Sequence, residues 1–249
     1  MKKLLSNGFA IIGLCLCAAT TFGKAPEHTA WTMLLKKHVS SVGKVDYKGF
    51  IKDSVALDSY LSTLSSSVAD ENKWSENEQK AFWINAYNAY TIKLVLIHFP
   101  LKSIKDIGSI IKVTGGAVSP WEIKFIPNNK EKLDLSTVEN IKLRAKFNDP
   151  RIHFALVCAS KSCPALLNEA YEASTLEKQL DARTKGFLTD PSKNKIKGNA
   201  PELSKIFEWY ASDFTKKGSL TDFINTYSSE KIPSGAKISY LNYDWNLNN

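Results

Sequence analysis

The chain has 249 residues, a formal net charge of +8, 43% hydrophobic and 23% charged residues. That composition belongs to a folded protein and excludes disordered and collagen-like classes. Basic residues are dispersed, adjacent only at Lys2/Lys3, Lys36/Lys37 and Lys216/Lys217; with no basic stripe, a nucleic-acid partner is not expected.

Lys2 and Lys3, the apolar run IIGLCLCAA and the small residues Thr21, Gly23 and Ala25 predict a secretory signal peptide over residues 1–23, cut near Gly23 or Ala25. The run is too short to span a membrane comfortably. Cys15 and Cys17 follow Leu14 and Leu16 rather than the small residue that lipid attachment calls for, so both leave with the leader. The expected product is an exported, monomeric single domain over residues 26–249, without a transmembrane segment; cut after Gly23, which removes Lys2 and Lys3, the chain carries a net charge of +6. Its only cysteines are Cys158 and Cys163, in a compartment where disulfides persist.

Amphipathic helices are predicted from Thr29 to Val39 and from Lys52 to Leu64, separated by the turn-rich VGKVDYKG. Ser75 and Glu78 form a capping box opening a long helix that Pro100 stops. Trp83, Tyr87, Tyr90, Leu94 and Ile97 make one stripe on it and Phe82, Ile84, Ile92, Val95 and Leu96 make its other sides apolar, the pattern of a buried core helix. Asn85 and Asn88, three residues apart on that helix, each need hydrogen-bond partners. Bracing of nearby loops is one role; orienting an imidazole or donating to an oxyanion is the other.

WEIKFI and KLDL around PNNK read as a hairpin. Ser136 and Glu139 then form a second capping box, opening a helix towards Phe147 and explaining Glu139 without chemistry. Further on, ALLNEAYEASTLEKQLDARTKGFL is expected to be helical with breaks, and LSKIFEWYASDF to be one amphipathic helix closed by Lys216, Lys217 and Gly218. The aromatic tail KISYLNYDWNLNN reads as a strand with its end packed down. The fold class expected is α+β: one mixed, helix-rich domain with a small sheet and a buried core helix.

NDPRIHFALVCASKSCPALL, Asn148 to Leu167, places His153, Cys158 and Cys163 around what reads as a buried strand, HFALVC. A thiol at the end of such a strand with an imidazole nearby is raw material for cysteine chemistry. Cys158 ends the strand; Cys163 precedes Pro164, which places it near a helix N-terminus that would lower its pKa. Five residues on an ideal strand put His153 and Cys158 on opposite faces, about 16 Å apart, so contact requires a bulge or a histidine outside the strand. Otherwise His153 is structural, and His98 is the best substitute among His28, His38 and His98. The Cys-x4-Cys spacing fits neither a thioredoxin pair nor a zinc site. A phosphatase loop would need an arginine where Pro164 stands, and Gly115 and Gly116 lack a phosphate-loop context.

FWINAYNAY, LSTVENIKLR, DPRIHFALVCASKSCPAL, LSKIFEWYASDF, YDWNLN and VDYKGF together resemble the family known as domain of unknown function 547. The resemblance spans nearly the whole chain after the leader. It implies a bacterial envelope protein, periplasmic or secreted, and a papain-like cysteine hydrolase whose triad falls on Cys158, His153 and Glu139. This chain departs from the family in having Val138 and Asn140 beside Glu139, where isoleucine and histidine are expected. The expected activity is attack by Cys158 on an amide or peptide bond of an envelope substrate. His153 would be the base and Glu139 its orienter, with Asn85 or the amides from Ser160 to Cys163 at the oxyanion, and no cofactor. Two alternatives remain open: a non-catalytic envelope binding domain with a Cys158–Cys163 disulfide, and a thiol redox protein.

Overall fold

The computed structural model describes residues 24–110, 112–113 and 116–249. The leader with Cys15 and Cys17, and Gly115 of the glycine pair, lie outside the described residues.

The organising element is the helix Glu76–His98, which opens with the expected capping box and ends before Pro100. Ser75 accepts from the Glu78 N–H at 3.3 Å, and the Glu78 carboxylate accepts from the Ser75 N–H at 2.8 Å. From Lys80 to Val95 every residue but Lys93 is buried. Ile97, expected on the buried stripe, is 56% exposed, because the helix has by then left the core.

Helices Tyr47–Lys52 and Ser54–Ser67 pack against this rod on one side, with Thr29–His38 behind them. The first of these was expected to be turn. Asp46 nucleates it by accepting the Gly49 N–H at 2.9 Å, and the next helix therefore starts at Ser54 rather than Lys52.

Three two-stranded pairs make up the β content among the described residues. Ile126–Asn128 and Glu131–Leu133 form the expected hairpin, turning through Asn129 at φ +54°, but its WEIKF arm is shorter, with Pro120–Glu122 a 3-10 turn. Lys112–Val113 pairs with Gly116–Ala117, and Glu202–Leu203 runs parallel to Ser239–Tyr240 of the tail. The molecule is thus a helix-rich α+β structure.

Three further expectations are corrected. HFALVC forms no strand: Pro150–Phe154 is a 3-10 turn capped by Asp149, and the chain from Ala155 to Cys163 is irregular. Only Leu176–Thr189 of the helix expected after Cys163 forms, so no helix N-terminus follows Pro164. LSKIFEWYASDF breaks at Tyr210 into Ile206–Trp209 and Ala211–Phe214. In the first two, the apolar residues are buried by surrounding helices, so burial is satisfied without a regular element.

Side chains fill the gap that missing backbone ladders leave. Asn88 donates to the Ala155 carbonyl and accepts from the Val157 N–H, both at 2.9 Å. Asn85 does the same for Tyr171, donating to its carbonyl at 2.8 Å and accepting from its N–H at 2.9 Å. Both amides are therefore braces. The apolar interior has two clusters, the larger around the long helix and the smaller around Phe154, Phe187, Phe207 and Phe214. Ile152 belongs to the first and Phe154 to the second, so His153 sits on the seam.

Replacing either asparagine with alanine strands two buried backbone groups. Asn88→Ala and Asn85→Ala should each destabilise the protein by about 1–3 kcal/mol. In thermal melts that is a Tm lower by roughly 2–4 °C per kcal/mol. A variant that melts like the parent would show that its amide braces nothing.

Candidate active site

A cavity of about 290 Å³ opens on the seam and is lined by His153, Cys158, Cys163, Glu139, Tyr210 and Tyr243, among others. Cys158 reaches it from the irregular loop and is partly exposed, whereas Cys163 is buried. The residue after Cys158, Ala159, is held at φ +60°, a left-handed conformation that non-glycine residues rarely adopt and that recurs at functional sites. Cys158 lines the cavity while Ala159 itself stays buried.

The Cys158 sulfur, the Ser160 hydroxyl and the Tyr243 hydroxyl form a triangle with every side 3.2 Å. Cys163 closes the group from below, its sulfur 2.7 Å from the Cys158 N–H. Both cysteines are free thiols. Burial pushes the Cys158 thiol up, but hydrogen bonds from Cys163, Ser160 and Tyr243 outweigh it and bring it down to about 7. Burial and the neighbouring Cys158 drive Cys163 the other way, well above the ordinary thiol range, so Cys163 stays protonated and donates. The sequence argument that favoured Cys163 as the acidic thiol is thereby reversed, because the helix it relied on is absent.

His153 is held on two sides. Its Nε2 lies 2.8 Å from the Asp213 carboxylate, and its ring stacks on Tyr210 with centroids 3.9 Å apart. Nδ1 has no hydrogen-bond partner among the described residues. Asp213 also accepts from Arg144 Nε at 2.6 Å, and the hydrogen bonds of His153 and Arg144 hold its carboxyl well below the usual carboxylate range. Arg144 in turn donates to Asn140, so Asn140 steadies the guanidinium that steadies Asp213.

Glu139 does not orient His153. It lies in the π-helical stretch Val138–Ala145, a rare geometry often found at functional sites. Its carboxylate accepts from Tyr87 at 3.2 Å and is hydrogen-bonded to Tyr210. Nor does it cap Ser136, because Asp134 caps that helix by accepting the Thr137 N–H at 2.6 Å; Ser136 instead receives Asn140. Asn85 lies away from the cavity with its amide spent on Tyr171, so it does not reach an oxyanion.

The amides of Lys161, Ser162 and Cys163 are likewise committed, to the carbonyls of Asn246, Asp244 and Ser160. His98 does not line the cavity. His28 bonds Tyr60, and burial brings it down to about 4; His38 bonds Asp53. Among the described residues no cluster of His, Cys, Asp and Glu could hold a metal ion.

Sequence reasoning missed Asp213, Tyr243, Tyr210 and Arg144, and it considered the backbone amide of Ser160 but not its hydroxyl. All sit in segments singled out for other reasons, and only the density of aromatic residues in FEWYASDF and YDWN signalled a site there.

Thiolate is the reactive form, so alkylation of Cys158 should rise with pH through a midpoint near 7 and then level off. Tyr243→Phe and Cys163→Ala each remove a donor to the thiolate and should move the midpoint upward. Rates of iodoacetamide labelling located by peptide mapping would show it, and midpoints unmoved in both variants would refute the hydrogen-bond account.

Residues 71–188 match a family model described as Protein of unknown function, DUF547. The matched stretch carries Glu139, His153, Cys158 and Cys163, and stops short of Asp213 and Tyr243. No curated protein and no solved structure matches the chain. The match over residues 71–188, with the cavity-lining cysteines and histidine inside it, supports the DUF547 family for this chain.

Proposed function

We propose that the protein is an exported cysteine hydrolase or acyl transferase acting on amide or peptide bonds in the cell envelope. One observation carries the reading: Cys158, its sulfur 3.2 Å from the hydroxyls of Ser160 and Tyr243, shares a cavity with an imidazole pinned by the half-buried Asp213 carboxylate. Export rests on the leader pattern at residues 1–23. Among the described residues no helix is long and apolar enough to cross a membrane.

The chemistry follows from proton positions. With Nε2 facing Asp213, Nδ1 is the nitrogen available to take the Cys158 proton. The thiolate attacks the carbonyl carbon, a C–S bond forms, and the carbonyl π pair moves to oxygen. Sulfur has then lost its charge, so the hydroxyls of Ser160 and Tyr243 are released to the oxyanion beside it. Collapse breaks the C–N bond, and the imidazolium hands its proton to the departing amine. Water or an acceptor amine or alcohol, deprotonated by His153, then cleaves the thioester and regenerates Cys158. Asp213 stabilises the imidazolium throughout and is a positioning residue.

The direct contact of Cys163 with the Cys158 backbone favours a second reading, in which the two sulfurs join. The chain would then be a binding module or a thiol redox protein. Intact mass separates the readings: the hydrolase predicts the fully reduced mass and one fast-labelling thiol without reductant, whereas a bridge predicts a mass two units lower and no labelling. Within the hydrolase reading, Cys158→Ala should abolish fast labelling and leave the melt unchanged. His153→Ala should leave the labelling midpoint near 7, since no imidazole touches the sulfur, yet prevent turnover of any substrate found. A midpoint displaced by His153→Ala would restore the thiolate–imidazolium pair and remove the hydroxyl triangle from the mechanism.

A further inference from the structure

Glu139 is left over by this chemistry. It is 8% exposed, lines the same cavity as Cys158, and pairs with no cation among the described residues. The Arg144 guanidinium acts on Glu139 electrostatically but spends its hydrogen bonds on Asp213 and Asn140. Burial keeps the hydroxyls of Tyr87 and Tyr210 protonated, so both are donors to Glu139. A carboxylate has about four lone-pair sites, and the two phenols fill two of them. A buried carboxylate with no cation in hydrogen-bond contact leaves room for one, and a cation there offsets the cost of burying the group.

The rest of the cavity suits that counter-charge. Trp209 and Trp245 stack at 5.7 Å, Tyr243 lies 4.5 Å from Trp245, and Trp121 meets Trp245 edge-on at 5.7 Å. Trp209 is 46% exposed, presenting part of its ring at the cavity wall. Lys105 holds its ammonium 3.8 Å from the Trp245 ring centroid, so Trp245 already has a cation, and Trp209 and Tyr243 are the rings left to meet another.

We infer that the cavity contains a cation subsite in which Glu139 and the aromatic wall hold an ammonium group of the substrate. The substrate class is then an amide or peptide carrying a protonated amine close to the carbonyl that Cys158 attacks. Glu139 is in this account a specificity residue, not a member of the triad. The inference rests on Cys158 being the nucleophile, and the test keeps the two claims apart.

Cys158 would be alkylated at pH 7 with neutral iodoacetamide and with cationic 2-bromoethylamine, each rate divided by that of 2-mercaptoethanol. The cationic reagent should be favoured by about tenfold, as a close charge pair supplies at least that much. Glu139→Gln, which keeps an oxygen for both tyrosines, should erase the preference, bringing the ratio of the two normalised rates to about one. Glu131→Gln, which removes a charge from the exposed hairpin, should change neither rate. Independently of any variant, tetramethylammonium chloride should protect Cys158 from iodoacetamide where sodium chloride at equal ionic strength does not. That arm decides the matter if Glu139→Gln does not fold. No preference in the parent, a preference that survives Glu139→Gln, or no protection would overturn the subsite while leaving the nucleophile intact. Failure of iodoacetamide to label Cys158 at pH 7 would instead overturn the nucleophile, and the subsite with it.

Discussion

The chain from Ala155 to Cys163 crosses the interior without a helix or a sheet ladder, and its buried backbone groups must find partners elsewhere. The rest of the site depends on how that is met. Asn88 serves Ala155 and Val157 from the core helix. The C-terminal tail serves the far side, with Asn248 donating to the Ala159 carbonyl at 3.2 Å and the Asn246 carbonyl accepting from Lys161 at 2.8 Å. The tail is itself fixed by Tyr47, which donates to Asn248 at 2.7 Å. Left-handed backbone at Ala159, costing about 1–2 kcal/mol, persists because both ends of the loop are tied. The same tail brings Tyr243 to the sulfur, so the support of the loop and the acidity of Cys158 share one cause.

Two cysteines five residues apart end with opposite properties. Both are removed from water, which alone would raise both. Cys158 gains three donors and Cys163 gains an anionic neighbour, so one proton is lost where the other is retained. His153 and Asp213 form a second unit across the cavity, joined to the first by shared space rather than by a hydrogen bond. This arrangement suits an imidazole whose work lies in moving protons to and from the leaving group and the incoming nucleophile.

Elements fixed by local rules were legible in the sequence. The capping box of Ser75 and Glu78, the stop at Pro100 and the apolar circumference between them identify the core helix, and two amides on such a helix announce braces. Elsewhere the same rules misled. HFALVC has the composition of a buried strand, but no strand among the described residues pairs with it, and periodicity cannot tell a buried strand from a buried loop. Ser136 and Glu139 have capping-box spacing, yet Asp134 stands two residues earlier and takes the cap, freeing Glu139 for the cavity. Asp213 lies 60 residues from His153 and Tyr243 lies 85 from Cys158, so no local pattern links them. Tyr210 reaches His153 because the helix breaks there, and an amphipathic pattern running through the break hid it.

The central claim is that Cys158 ionises around neutral pH while Cys163 keeps its proton. Cysteine labelled with carbon-13 at Cβ reports each sulfur separately by NMR as pH is varied. The account predicts that the Cys158 signal titrates near 7 and that the Cys163 signal stays that of a thiol past the ordinary thiol pKa of about 8.5. Two signals at disulfide positions, or a Cys158 signal that does not move until after that of Cys163, would contradict it.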